Sequence, residues 1–156
     1  MIWSQELEDV GKVAFAYLLA LPVGWYREKE AHSVGVRTMP IVAVASCAFI
    51  LLVGGWGRAS MDAQSRVLQG IAAGIGFVGG GAILKSENRV HGTATAATIW
   101  NIAAMGAAVA LEHYLVAVFL ALLNFVTLFL LLRVKQSIDQ DEKDPPASPA
   151  KRGPDG

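Results

Sequence analysis

VLQGIAAGIGFVGGGAIL, residues 67–84, runs for eighteen positions without a charged side chain and decides how the chain is read. At about 1.5 Å of rise per residue, a helix of that length crosses most of the ~30 Å hydrocarbon core of a bilayer. On its N-terminal side, MPIVAVASCAFILLVGGW (39–56) is equally free of charge. On its C-terminal side come TATAATIWNIAAMGAAVAL (93–111) and LVAVFLALLNFVTLFLLL (115–132). A fifth block, Val10 to Tyr26, is shorter and carries Lys12 near its start, where a long side chain can snorkel to the interface. Short charged loops separate the blocks, a pattern of spans rather than of amphipathic periods around one soluble core.

Composition agrees. Hydrophobic residues make up 54% of the chain and charged ones 17%, and the mean hydropathy is +0.46, more apolar than one small water-soluble core requires. The expectation is an all-α polytopic membrane protein, a bundle of about five transmembrane helices over residues 1–137. The Ala- and Thr-rich fourth span suits a central place among other helices, and the fifth, with its large side chains, a lipid-facing one. Trp3, Trp25, Tyr26, Trp56 and Tyr114 fall near the proposed ends, where interfacial rings are favoured.

The formal net charge is zero, yet the Lys and Arg residues are unevenly placed. With the N-terminus outside, Arg27, Lys29, Arg37, Lys85, Arg89, Arg133, Lys135, Lys143, Lys151 and Arg152 fall in cytoplasmic segments, against Lys12, Arg58 and Arg66 outside. Positive loops stay in the cytoplasm, so the expected orientation is N-out, C-in. Glu6, Glu8 and Asp9 before the first block, with no clean small-residue cleavage site after it, argue against a secretory signal. Residues 138–156 are charged and Pro-rich, and read as a disordered cytoplasmic tail. The lone Cys47 excludes an intrachain disulfide and a cysteine metal cluster, and reads as a small packing residue.

Gly74-Ile-Gly76-Phe77-Val-Gly79 spells a dinucleotide fingerprint, but the strand, the amphipathic helix and the later acidic residue that loop needs are missing. The glycines make better sense as helix-packing positions: Gly70 and Gly74, and Gly76 and Gly80, are each four apart. The run Gly79 to Gly81 also makes this helix easy to bend or interrupt. In the fourth span, Thr95 and Thr98 share a face with Asn101 beside it. Either the Thr hydroxyls bond back to their own helix and Asn101 bonds across to a neighbour, or the three line a polar path facing the Gly-rich helix. Asn124 in the fifth span carries the same ambiguity, with an oligomer contact as a further reading.

The first cytoplasmic loop, Gly24 to Thr38, packs opposite charges, and its Arg27-Glu28 and Arg37-Thr38 pairs could close a polar lid over the bundle. The second, Lys85 to Gly92 with Glu87, Arg89 and His91, would lie on the same side. Without a Ser/His/Asp set, a His pair or a phosphate loop, catalysis has little support. No cofactor, metal site or nucleic-acid partner is expected.

From about Gly24 to Tyr114 the sequence resembles the MgtC/SapB family of bacterial inner-membrane proteins. Three ordered stretches carry the resemblance: Gly24-x-x-Arg27-Glu28 with Gly35-Val-Arg37-Thr38; Asp62-x-x-Ser65-Arg66 leading into Gly74-Ile-Gly76-Phe77-Val-Gly79-Gly-Gly81; and Val90-His-Gly92-Thr-Ala-Thr95-Ala96-Ala97-Thr98-Ile-Trp100, then Gly106. It departs from the family pattern at Thr93-Ala94 and at Ala110 and Glu112, where glycines are frequent. Several members continue into a folded cytoplasmic domain, in place of the disordered tail expected here. The resemblance implies a link to growth in low magnesium, acid stress or survival inside host cells. Members are often named as magnesium transport proteins, and some act by binding other membrane proteins, including the proton-translocating ATP synthase. It implies here a non-enzymatic regulator embedded in the lipid bilayer, acting through other membrane proteins or self-association. Gly74, Gly76, Gly79, Gly81, Thr95, Thr98 and Trp100 would form its packed centre, and Arg27, Glu28, Arg37, Thr38, Asp62 and Arg66 would set its loop geometry. The rival is a Mg²⁺ or other ion transporter or channel component. Magnesium sites generally use carboxylates, and Glu28, Asp62 and Glu112 lie only at span ends. A structural subunit serving an active partner is a third reading.

Overall fold

The computed structural model describes residues 2–31, 35–54, 61–86 and 89–143. Five helices, α1 (Ile2–Ala31), α2 (Thr38–Gly54), α3 (Met61–Gly81), α4 (Thr93–Ala110) and α5 (Tyr114–Lys143), follow in order. A two-stranded hairpin, β1 (Leu84–Ser86) and β2 (Arg89–His91), sits between α3 and α4. Trp56, Arg58, Glu87 and residues 144–156 lie outside the described residues.

The chain is all-α, and α4 is long and apolar enough to cross a membrane, with α2 and the Tyr114–Leu130 part of α5 as shorter apolar helices. The helix ends differ from expectation for local reasons. α1 starts at Ile2 rather than Val10, its first turns tied by the Glu8–Lys12 pair at i, i+4. It also continues through Pro22, which withholds one backbone donor from the helix. α3 starts at Met61, where Asp62 stands in the electropositive first turn. It ends at Gly81, and Leu84 passes into the hairpin, in antiparallel register with His91. The domain boundary expected at 137 falls inside α5, which stays helical to Lys143; Gln140, Glu142 and Lys143 are helix formers, and Pro145 is the next breaker.

Residues up to Phe125 form one packed unit, and the residues from Val126 form a second. In the first unit α4 is the hub: it packs against α1, α2 and α3, and 67% of it is buried. Small residues allow this. A Cβ at Gly106 would stand 2.2 Å from the Ala43 carbonyl oxygen, so the α2 and α4 backbones nearly touch there. Ile99, Ile102, Met105 and Val109 fill the hub, and Cys47 is buried on α2. α5 joins through longer side chains: Tyr114 meets Phe15 edge-on at 6.0 Å, and Phe125 meets Tyr26 at 5.6 Å. Its opposite side exposes Leu115, Phe119 and Leu122.

Candidate functional site

α4 gathers the polar side chains of the interior. Thr95, in its first turn, is buried and receives a hydrogen bond from the Arg27 guanidinium, which α1 carries inward until only 6% of the residue is exposed. One turn on, the Thr98 hydroxyl donates to the Ala94 carbonyl oxygen at 2.8 Å, its own helix. Asn101 donates its Nδ2 to the Leu120 carbonyl oxygen of α5 at 3.3 Å. The three residues therefore fan out around α4 instead of lining one face: Thr95 turns to α1, Thr98 to its own backbone and Asn101 to α5. Asn124 is buried, which withdraws it from an oligomer surface.

The loop motif closes the same end. Gly24 is buried, and a Cβ there would lie 3.1 Å from the Val36 Cα. Gly35 accepts the backbone N–H groups of Thr38 and Met39 at 3.1 and 3.0 Å, fixing the start of α2. Glu28 accepts the Val36 N–H at 3.1 Å, so it organises the connection while Arg27 enters the bundle. Arg37 is exposed. Gly92, between β2 and α4, has φ +88°, and a Cβ would fall 1.9 Å from the Ala82 carbonyl oxygen. Only glycine fits that turn. The expected second loop is thus largely a strand pair held by this glycine.

The glycine motif of α3 behaves differently from its reading as helix packing. A Cβ at Gly70, Gly74, Gly76 or Gly81 would meet nothing within 4 Å, whereas one at Gly79 would rest 3.5 Å from the Ala96 carbonyl oxygen. Within the chain, α3 and α4 touch at Gly79 and Ala96, and the other glycines leave open surface. Trp100 is 50% exposed and so lies outside the packed centre expected of it; the motif residues Phe77, 86% exposed, and Ala97 are exposed as well. Asp62 and Arg66 pair with each other at 2.7 Å, on the surface.

At the opposite end of the hub lies a cluster that local sequence reading does not reveal. Lys12 is 8% exposed, and carboxylates surround its ammonium: Glu112 at 2.8 Å, Glu8 at 3.2 Å and Asp9 at 4.0 Å. The Glu8–Lys12 spacing is legible in sequence, but Glu112 stands 100 residues away. The Lys12 ammonium holds the Glu112 carboxyl below its ordinary value. These groups border a polar cavity of about 590 Å³ that also takes in Gln5 and Gln64. Among the described residues, no three His, Cys, Asp or Glu side chains are grouped to hold a metal ion.

Known proteins share much of this sequence. The chain is 36% identical over 110 residues to Protein SrpB of Synechococcus elongatus, covering 63% of this chain and 60% of that protein. It is 36% identical to Protein MgtC of Brucella abortus, covering 68% of this chain and 44% of that one. It is 32% identical to Protein MgtC of Salmonella typhimurium, covering 80% and 53%. The chain thus spans about half the length of the curated relatives it matches. No solved structure matches it. The sequence profile of the MgtC family matches residues 13–137, through all five helices, and the chain belongs to that family.

Proposed function

We propose that the chain is a multi-pass bacterial inner-membrane protein, N-out and C-in, that has no catalysis of its own and acts by binding other membrane proteins under magnesium limitation or acid stress. The observation that carries the reading is where its apolar surface lies. Phe49, Leu52, Phe77, Leu115 and Phe119 are large and exposed, on three different helices. A water-soluble monomer does not expose so much large apolar surface, whereas lipid or a membrane partner covers it without cost. The interior polar groups support a contact role over an ion path, since the Thr98 hydroxyl and the Asn101 amide nitrogen are engaged by α4 and α5 themselves, while the buried Asn101 Oδ1 accepts no hydrogen bond. The stress link rests on family membership, and the orientation rests on the excess of Lys and Arg in the segments assigned to the cytoplasm.

Photo-crosslinking in living cells tests this reading. A crosslinking residue at Phe77 or Leu115 is expected to give a discrete adduct with a second membrane protein, and one at buried Ile102 to give none. Saturable Mg²⁺ uptake by proteoliposomes holding the purified chain, without any protein adduct in cells, would replace the regulator with a transporter.

A further inference from the structure

α5 docks on the hub through one narrow row. Ala117 and Asn124 are buried on it, Leu120 and Ala121 are half-buried between them, and the flanking Phe119 and Leu123 are exposed. In the middle of that row Asn101 of α4 donates its Nδ2 to the Leu120 carbonyl oxygen at 3.3 Å. Two amide atoms of this joint are buried without a hydrogen-bond partner among the described residues: the Oδ1 of Asn101 and the Nδ2 of Asn124, a residue only 6% exposed.

Helix geometry brings the two together. Asn124 follows Leu120 by one turn, a rise of about 6 Å, and helical side chains lean towards the N-terminus. The Asn124 amide therefore reaches back to the level of the carbonyl that Asn101 holds. The Leu120 oxygen demands a donor, which fixes the Asn101 amide with its nitrogen towards that carbonyl and leaves its oxygen for another group. An acceptor and a donor thus stand in one joint, complementary and not bonded to each other. Leaving both unsatisfied forfeits the hydration each had before folding.

The chemistry of the pair selects the ligand. The Asn124 N–H groups refuse a cation, the Asn101 oxygen refuses an anion, and an apolar group satisfies neither. Water donates to the one and accepts from the other. Two bonds of ~2.8 Å let it span up to about 5.6 Å, where a direct amide bond needs about 3 Å. We propose that one water is bound in the α4–α5 joint, donating to Asn101 Oδ1 and accepting from Asn124 Nδ2, and that this bridge is a latch fixing α5 on the hub. Asn124 stands one residue before the packed unit ends at Phe125, so the latch holds α5 at the last turn that belongs to that unit. Both atoms are interior, so the bridge is indifferent to what covers the outer face of α5.

The test takes two readouts from the full chain in detergent micelles. Nuclear Overhauser spectra of the isotope-labelled protein should connect the Asn124 side-chain N–H to a long-lived water, with the rotating-frame sign of a contact rather than of proton exchange, and show none at the backbone N–H of buried Ile102. Denaturant unfolding of Asn101→Leu, Asn124→Leu and the double variant should reveal a coupling of about threefold in the unfolding equilibrium, equivalent to ~0.6 kcal/mol, the average for interhelical hydrogen bonds in membranes. The cycle cancels the Asn101–Leu120 bond, which is lost in both Asn124 backgrounds. Ala in place of Leu repeats the cycle if the larger residue prevents folding, and the water contact is read on the native chain in any case. Additive single effects would overturn the latch, with or without a water contact. Coupling without a water contact would overturn the water site and assign the pair to a direct amide bond.

Discussion

Glu112 is the one residue other than glycine with positive φ among the described residues, at +63°, and it stands where α4 turns into α5. The turn is a complete helix stop: His113 N–H reaches the Ala108 carbonyl at 2.8 Å, and Glu112 N–H reaches that of Val109 at 3.0 Å. Glycine would relax this backbone; the carboxylate present instead completes the charge shell of buried Lys12. The sign of the pH effect follows. A carboxyl held below its unfolded value contributes stability above that value, and the contribution disappears as pH falls through the folded one. Thermal unfolding should therefore show the native chain ahead of Glu112→Gln at neutral pH, with the gap closing below the ordinary carboxylate range; a gap independent of pH would contradict the pairing. Two glycines separate packing from open space at the same scale. Gly106→Ala should cost about 1–3 kcal/mol of overpacking against Ala43, whereas Gly74→Ala should be neutral or stabilise by up to about 1 kcal/mol through helix propensity. Denaturant titration in detergent measures both. The sequence alone treats the two alike, because spacing reports which face a glycine occupies and not what lies across from it.

α4 carries the account at the level of elements. Its central place was legible in its composition, since Ala, Gly and Thr allow backbones to approach, and three helices meet it. The two readings of its polar residues were also legible, but the choice between them needed the positions of α1 and α5. Arg27 to Thr95 joins residues 68 apart, and Asn101 to Leu120 crosses to the next helix 19 residues on, so no pattern within one helix announces either. The hairpin after α3 was missed because its strands are three residues each and depend on Gly92, whose φ is a tertiary fact. Asn101→Leu should loosen the α4–α5 contact by about 0.6–1.7 kcal/mol, the measured scale of interhelical hydrogen bonds in membranes. Hydrogen exchange should rise around Leu120 while that near Ala43, on the α2 side of the hub, stays unchanged. Thr98→Val should cost less, because its hydroxyl serves only its own helix. Equal effects from the two substitutions would mean that Thr98 takes part in a shared polar path.

At the scale of the molecule, large apolar side chains are exposed as well as buried among the described residues, and their charged residues concentrate towards helix ends. The arrangement makes sense if lipid surrounds the bundle and the excess of Lys and Arg holds selected loops in the cytoplasm. The most direct test is a membrane-impermeant thiol reagent applied to cells from which the outer barrier has been stripped, with Cys47 replaced by Ala and one cysteine returned at Gln5 or at Lys85, both exposed positions. The account predicts that Gln5→Cys is labelled in intact cells and Lys85→Cys only after lysis. Labelling of both before lysis, of neither until lysis, or in the reverse order would contradict the N-out, multi-pass arrangement.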